Sequence, residues 1–123
     1  TSNSLGKFTS QSSIRAMVGT GVTHTSLIKG TNALGTLLNN QLSYKFTPSA
    51  TYPHPGDTSV FTDGNYFPGG YNTSRHGSKF EGTISAIQLE FNPSVRSSTT
   101  SVRNSNAGKI ANALKTYLDT YFN

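Results

Sequence analysis

The run Tyr66-Phe67-Pro68-Gly69-Gly70-Tyr71-Asn72-Thr73-Ser74-Arg75-His76-Gly77-Ser78 concentrates residue types that do chemistry. Gly69 and Gly70 allow the backbone to turn with positive φ or to approach a ligand closely. Asn72, Thr73 and Ser74 offer short hydrogen-bonding arms. Arg75 presents a planar fork suited to a carboxylate, and His76 is a donor, acceptor or proton carrier near neutral pH. Downstream, Glu90 is the sole acid in the β-friendly run Thr83-Ile84-Ser85-Ala86-Ile87-Gln88-Leu89-Glu90-Phe91. By residue type this is an anion-recognition site beside a carboxylate able to act as a base. The same residues also read as a glycine turn with a solvated Arg and a Glu on the exposed face of a strand.

The elements that position these residues follow from patterning. Residues 1–13 are polar and read as a loop. Residues 14–18 predict a short strand ending in the turn Gly19-Thr20-Gly21. Leu34, Leu37, Leu38 and Leu42 recur at helical spacing and predict a helix over 32–43, with Thr31 or Asn32 as N-cap. Gly35 weakens that helix by about 1 kcal/mol relative to Ala, so its apolar face needs a sheet to pack on. Four prolines (Pro48, Pro53, Pro55, Pro68) and several glycines exclude regular helix over most of 44–70. Residues 83–91 are the best strand. Ile87, Leu89 and Phe91 share one face and Glu90 the other. A Ser/Thr-rich link over 94–101 precedes a helix capped by Asn104 or Ser105, with Ile110, Ala113, Leu114, Tyr117, Leu118 and Tyr121 as its apolar stripe. The alternation predicts an α/β layer structure. Two strands make a very small sheet, so the expected unit is larger than this chain.

Composition bounds the function classes. The 123 residues have room for one domain, and only 33% are apolar, well below the roughly 45–50% of an average domain. The core is therefore thin. Seventeen Ser, seventeen Thr and thirteen Phe plus Tyr, with only 12% charged residues, describe a folded, hydroxyl-covered chain and not a charged disordered one. The net charge of +5 favours acidic partners. Its bases stand singly, without the clusters expected of nucleic-acid binding. No cysteine is present, which removes disulfides, thiolate metal sites and a Cys nucleophile. No apolar run is long enough to span a membrane. A start at Thr1 points to processing, and the hydroxyl-rich, processed character points to an extracellular location.

From Ser12 to its end the chain resembles the C-terminal half of the N-formylglutamate amidohydrolase family, zinc-dependent hydrolases similar in fold to zinc carboxypeptidases. The residues carrying the resemblance are Ser12-Ser13-Ile14-Arg15, Asn32-Ala33-Leu34-Gly35-Thr36-Leu37-Leu38, the Pro48-Ser49 and Pro55-Gly56 turns, the Tyr66-to-Ser78 block, Ile84-Ser85-Ala86-Ile87-Gln88-Leu89-Glu90, and Val95-Arg96. The most specific part is Gly-Gly-Tyr-Asn-x-x-Arg-His-Gly-Ser followed by Ala-Ile-Gln-Leu-Glu. The resemblance implies an α/β, mixed-sheet, zinc-exopeptidase-like (phosphorylase/hydrolase-like) fold, of which residues 1–123 form the C-terminal portion, completed by a second chain. It implies Glu90 as general base facing a zinc-bound water. Arg75 would hold the carboxylate of an N-acyl amino acid or similar amide, and Gly69, Gly70, Asn72 and His76 would shape the pocket. Some relatives place the Arg one position earlier, where this chain has Ser74, and Arg96 is a second anion-binding candidate.

Zinc is the implied cofactor, and a catalytic zinc takes three protein ligands. His24, His54 and His76 have no ligand spacing, and the family takes its ligands from a segment upstream of the matched region. His24 and His54 read as loop residues. The zinc ligands are expected on a partner, a second chain cut from the same precursor. The alternative is a non-catalytic extracellular structural or matrix protein of the same fold, binding polyanions, glycans or a mineral surface. A self-contained sugar-binding module is a third reading. Asn72-Thr73-Ser74 is also an N-glycosylation sequon, expected to be bare if the pocket is used.

Overall fold

The structure, a computed structural model, describes residues 12–53, 70–78 and 82–123. Their order is a 3₁₀ turn Arg15–Met17, then α1 His24–Lys29, α2 Leu34–Leu42, α3 Tyr71–His76 and α4 Thr100–Phe122. The α/β mixed-sheet expectation is overturned: the described residues form helices and no sheet, with one isolated bridge between Gly19 and Val22.

Both expected strands fail for identifiable reasons. The 14–18 segment coils into the 3₁₀ turn, closed by Met17 N–H to Ile14 O at 3.1 Å and Val18 N–H to Arg15 O at 3.0 Å. The turn after it does form, with Gly21 at φ +79°, a conformation that glycine adopts without steric cost. Residues 83–91 lie alongside Ser13 but gain no ladder among the described residues. Ala86 N–H donates to Ser13 O at 2.9 Å and the Ser13 hydroxyl donates to Ala86 O at 2.6 Å. One residue's pairing does not make a strand, because a strand is stabilised by repeated bonds to a neighbour. Ile84, Ile87 and Leu89 accordingly stay exposed. Of the expected buried face only Phe91 finds an aromatic partner, Phe46, edge-on at 6.0 Å.

The core is helix on helix. Leu34, Leu38 and Leu42 of α2 pack against Ala113 and Tyr117 of α4, with Met17, Leu37, Tyr44, Phe46, Ile110, Leu114 and Tyr121 around them. The leucine spacing thus produced the helix it predicted, packed on α4 where a sheet was expected. Ala33 is the N-cap and its side chain makes no capping bond; Ser43 ends the helix at φ 57°. Gly35 is required by close approach, since a Cβ there would overlap the Pro48 carbonyl oxygen. Asn39 holds the 44–53 stretch against α2, accepting from Phe46 N–H at 2.7 Å and donating to the buried Ser49 hydroxyl at 2.9 Å.

α4 begins at Thr100, ahead of the expected Asn104 or Ser105 cap. Part of the Ser/Thr link is helix, the Thr100 hydroxyl accepting from the Arg103 guanidinium at 3.3 Å, and the buried Asn106 ties the first turns to the preceding loop through Val95 O at 2.8 Å. The stripe on α4 is buried at Ala113 and Tyr117, while Leu118 is exposed. Burial, and after it the nearby Tyr121, pushes the Tyr117 phenol up to about 12. Helix α1 was not anticipated. A reciprocal capping box starts it, Thr23 accepting from Ser26 N–H at 3.0 Å and Ser26 from Thr23 N–H at 3.1 Å. His24, expected in a loop, is a buried residue of α1. No helix among the described residues is long and apolar enough to cross a membrane.

Candidate functional site

Gly70 is the N-cap of α3. Its carbonyl oxygen accepts from the buried Thr73 hydroxyl at 2.9 Å and from Ser74 N–H at 3.1 Å, which commits the chain after the extended Gly70 to a helix. That helix leaves Asn72, Arg75 and His76 exposed. The His76 ring stands edge-on to Tyr71 at 6.5 Å. Gly77 closes the helix, donating to Thr73 O at 3.1 Å.

The end of α3 is anchored to the rest of the chain from two sides. Ser78 is fully buried; its N–H and hydroxyl both donate to Ser13 O at 3.1 Å, and its Oγ accepts from Ala16 N–H at 2.9 Å. The Arg15 guanidinium spans Ser78 O and Gly82 O, each at 2.9 Å. Arg15 is thus a staple that holds α3 beside the 82–92 segment.

Glu90 meets the glycine turn through a residue the sequence reading gave no role, Gln88. The Gly70 N–H donates to Gln88 Oε1, and Gln88 Nε2 donates to Glu90 Oε1 at 2.9 Å. Because a backbone N–H can only donate, it fixes the amide so that the NH₂ faces the carboxylate. Gly70 has a steric reason to be glycine here: a Cβ would lie 2.6 Å from Gln88 Oε1. The signal for Gln88 was its period-two register with Glu90, which sets both on one side of an extended chain.

Glu90 also lines a small cleft of about 150 Å³ with Tyr44, Lys45, Phe46, Thr47, Phe91, Asn92 and Val95. Lys45 lies 5.6 Å above the Tyr52 ring, a cation–π distance. Nothing in the sequence links Lys45 to Glu90, which are neighbours only through the packing of 44–47 on 90–95. Arg96 is exposed in the turn that follows the cleft, its N–H reaching Asn92 O at 3.4 Å.

The structure therefore joins Gly70 to Glu90 and sets Asn72, Arg75 and His76 on the helix that Gly70 opens. Gly69 and His54 lie outside the described residues. Among the described residues no three His, Cys, Asp or Glu side chains come together to hold a metal ion, so the donors described here do not fit a catalytic zinc. The chain matches no family model, no curated protein and no solved structure.

Proposed function

We propose that this chain supplies the base and the substrate-carboxylate pocket for hydrolysis of an N-acyl amino acid or similar amide, and that a second chain cut from the same precursor brings the zinc ligands. The observation that supports it is the hydrogen-bonded link from Gly70 through Gln88 to Glu90, which ties the anion-recognition turn to the one carboxylate of the 82–92 segment. In this reading Glu90 takes a proton from water as the water oxygen adds to the amide carbon. It then passes that proton to the nitrogen as the C–N bond breaks, giving a carboxylic acid and an amine. Arg75 binds the substrate carboxylate through paired N–H donors, with the exposed Asn72 and His76 on the same helix. The test is composition: the protein purified without dissociation should carry a second chain with His and Glu or Asp ligands and about one zinc per pair. Absence of zinc together with a partner lacking such ligands would remove the reading.

A second reading is supported by the charge distribution. Lys45, Arg75, Arg96, Arg103 and Lys109 are all exposed, and the ion pair among the described residues is Lys115 with Asp119 at 2.5 Å. A non-catalytic extracellular matrix protein binding polyanions or mineral would use these cations. Its binding to a sulfated polysaccharide would weaken steeply with salt.

A further inference from the structure

A cavity lined by described residues lies away from Glu90, where the 82–92 segment meets the end of α4. It has a volume of about 360 Å³, within the roughly 300–1,000 Å³ typical of small-molecule sites. Its walls come from three separate stretches: Ala16, Met17 and Val22; Thr83 and Ser85; and Thr120, Tyr121 and Phe122.

None of the described residues that line this cavity is charged. They offer hydroxyls and aromatic faces for recognition. Thr83 and Ser85, two residues apart, both line the cavity. Facing them, α4 brings Thr120, Tyr121 and Phe122; the Tyr121 ring packs on Tyr117 at 5.0 Å, and Phe122 is the exposed ring. The Thr120 hydroxyl donates to Thr116 O at 2.7 Å, which leaves its oxygen free to accept. The Met17 thioether accepts from the Tyr117 hydroxyl at 3.4 Å, which fixes that side of the cavity to the core. An exposed aromatic ring across a cavity from hydroxyl-bearing residues matches a ligand with an apolar C–H face and a hydroxylated rim.

We propose that this cavity binds a neutral saccharide ring, with Phe122 covering its C–H face and Thr83, Ser85 and Thr120 bonding its hydroxyls. The site rests on neither reading of the Glu90 region. The test is an amide-resolved NMR titration of the full chain with neutral mono- and disaccharides, paired with saturation transfer to the sugar. Shifts confined to residues 16–22, 83–85 and 120–123, with transfer strongest to the ring C–H protons, are expected. Ser85→Ala removes one hydrogen bond and should weaken binding by about three- to tenfold. Phe122→Ala should weaken it at least as much. Phe122 is 60% exposed, so its loss leaves the core intact, which the unchanged amide spectrum of the free variant checks. The proposal is overturned if no saccharide perturbs these amides at millimolar concentration, if phenol does so while saccharides do not, or if both variants bind as the parent does.

Discussion

Gln88 donates from its side-chain amide to the Glu90 carboxylate at 2.9 Å, while its amide oxygen accepts from the backbone of Gly70. The two residues sit on one side of an extended segment. The carboxylate is thereby oriented by a group that is itself oriented by the glycine turn.

Removing the bridge should lower turnover while leaving the fold alone. Gln88→Met keeps the side-chain length but neither accepts from Gly70 nor donates to Glu90. A hydrogen bond to a charged group is worth about 1.5–3 kcal/mol, less where solvent competes, so kcat for amide hydrolysis should fall about tenfold with KM little changed. Gly70→Ala should reproduce the loss, because its Cβ displaces Gln88 Oε1. Steady-state kinetics beside a thermal melt separate this from simple destabilisation.

Gly35→Ala should destabilise the protein even though Ala is the better helix former by about 1 kcal/mol. The added methyl meets the Pro48 carbonyl oxygen, and overpacking of this kind costs about 1–3 kcal/mol. Urea unfolding reads the sign directly.

Leu38 is 1% exposed at the centre of the contact between α2 and α4. Leu38→Ala should cost about 2–5 kcal/mol, measured by the same unfolding curves, whereas Leu118→Ala, at a position 52% exposed, should cost far less.

Stability should fall in alkaline solution through Tyr117. Its phenol is held up to about 12 from the ordinary 10.0, so between these values the folded state retains a proton that the unfolded chain releases. The contribution is complete below pH 10 and is lost as pH rises toward 12. Urea midpoints across that window should drop for the parent and drop less for Tyr117→Phe.

Amide hydrogen exchange tests the unpaired character of residues 83–91. Ala86 N–H, bonded to Ser13 O, should exchange more slowly than the amides of Ile87 and Leu89.

How much of this was legible in the sequence differs by element. The leucines of α2 and the stripe of α4 announced two helices because burial against a neighbour follows period 3.6. The segment 83–91 announced a strand by the same logic at period 2, but alternation reports only that a segment can be extended; a strand also needs a neighbour, and among the described residues Ser13 offers one residue. Residues 14–18 carried β-friendly side chains in a stretch too short for propensity to decide, and the turn won. Helix α1 hid behind a capping box in which Ser26 stands where a Glu or Gln is the usual sign. At the site, Arg75, His76 and Glu90 were visible by chemical type. Gln88 was visible only as a register partner, and Lys45 not at all, because its place beside the Glu90 cleft is set by tertiary packing.

The central claim is that Glu90 is a base, and one substitution tests it most directly. Glu90→Gln keeps the shape and the exposed position of the side chain but cannot take a proton. Hydrolysis of an N-acyl amino acid by the protein together with its accompanying chain should fall by about 10²–10⁴-fold, with the amide spectrum and melting temperature unchanged. Parent-level turnover by the folded variant would contradict the account.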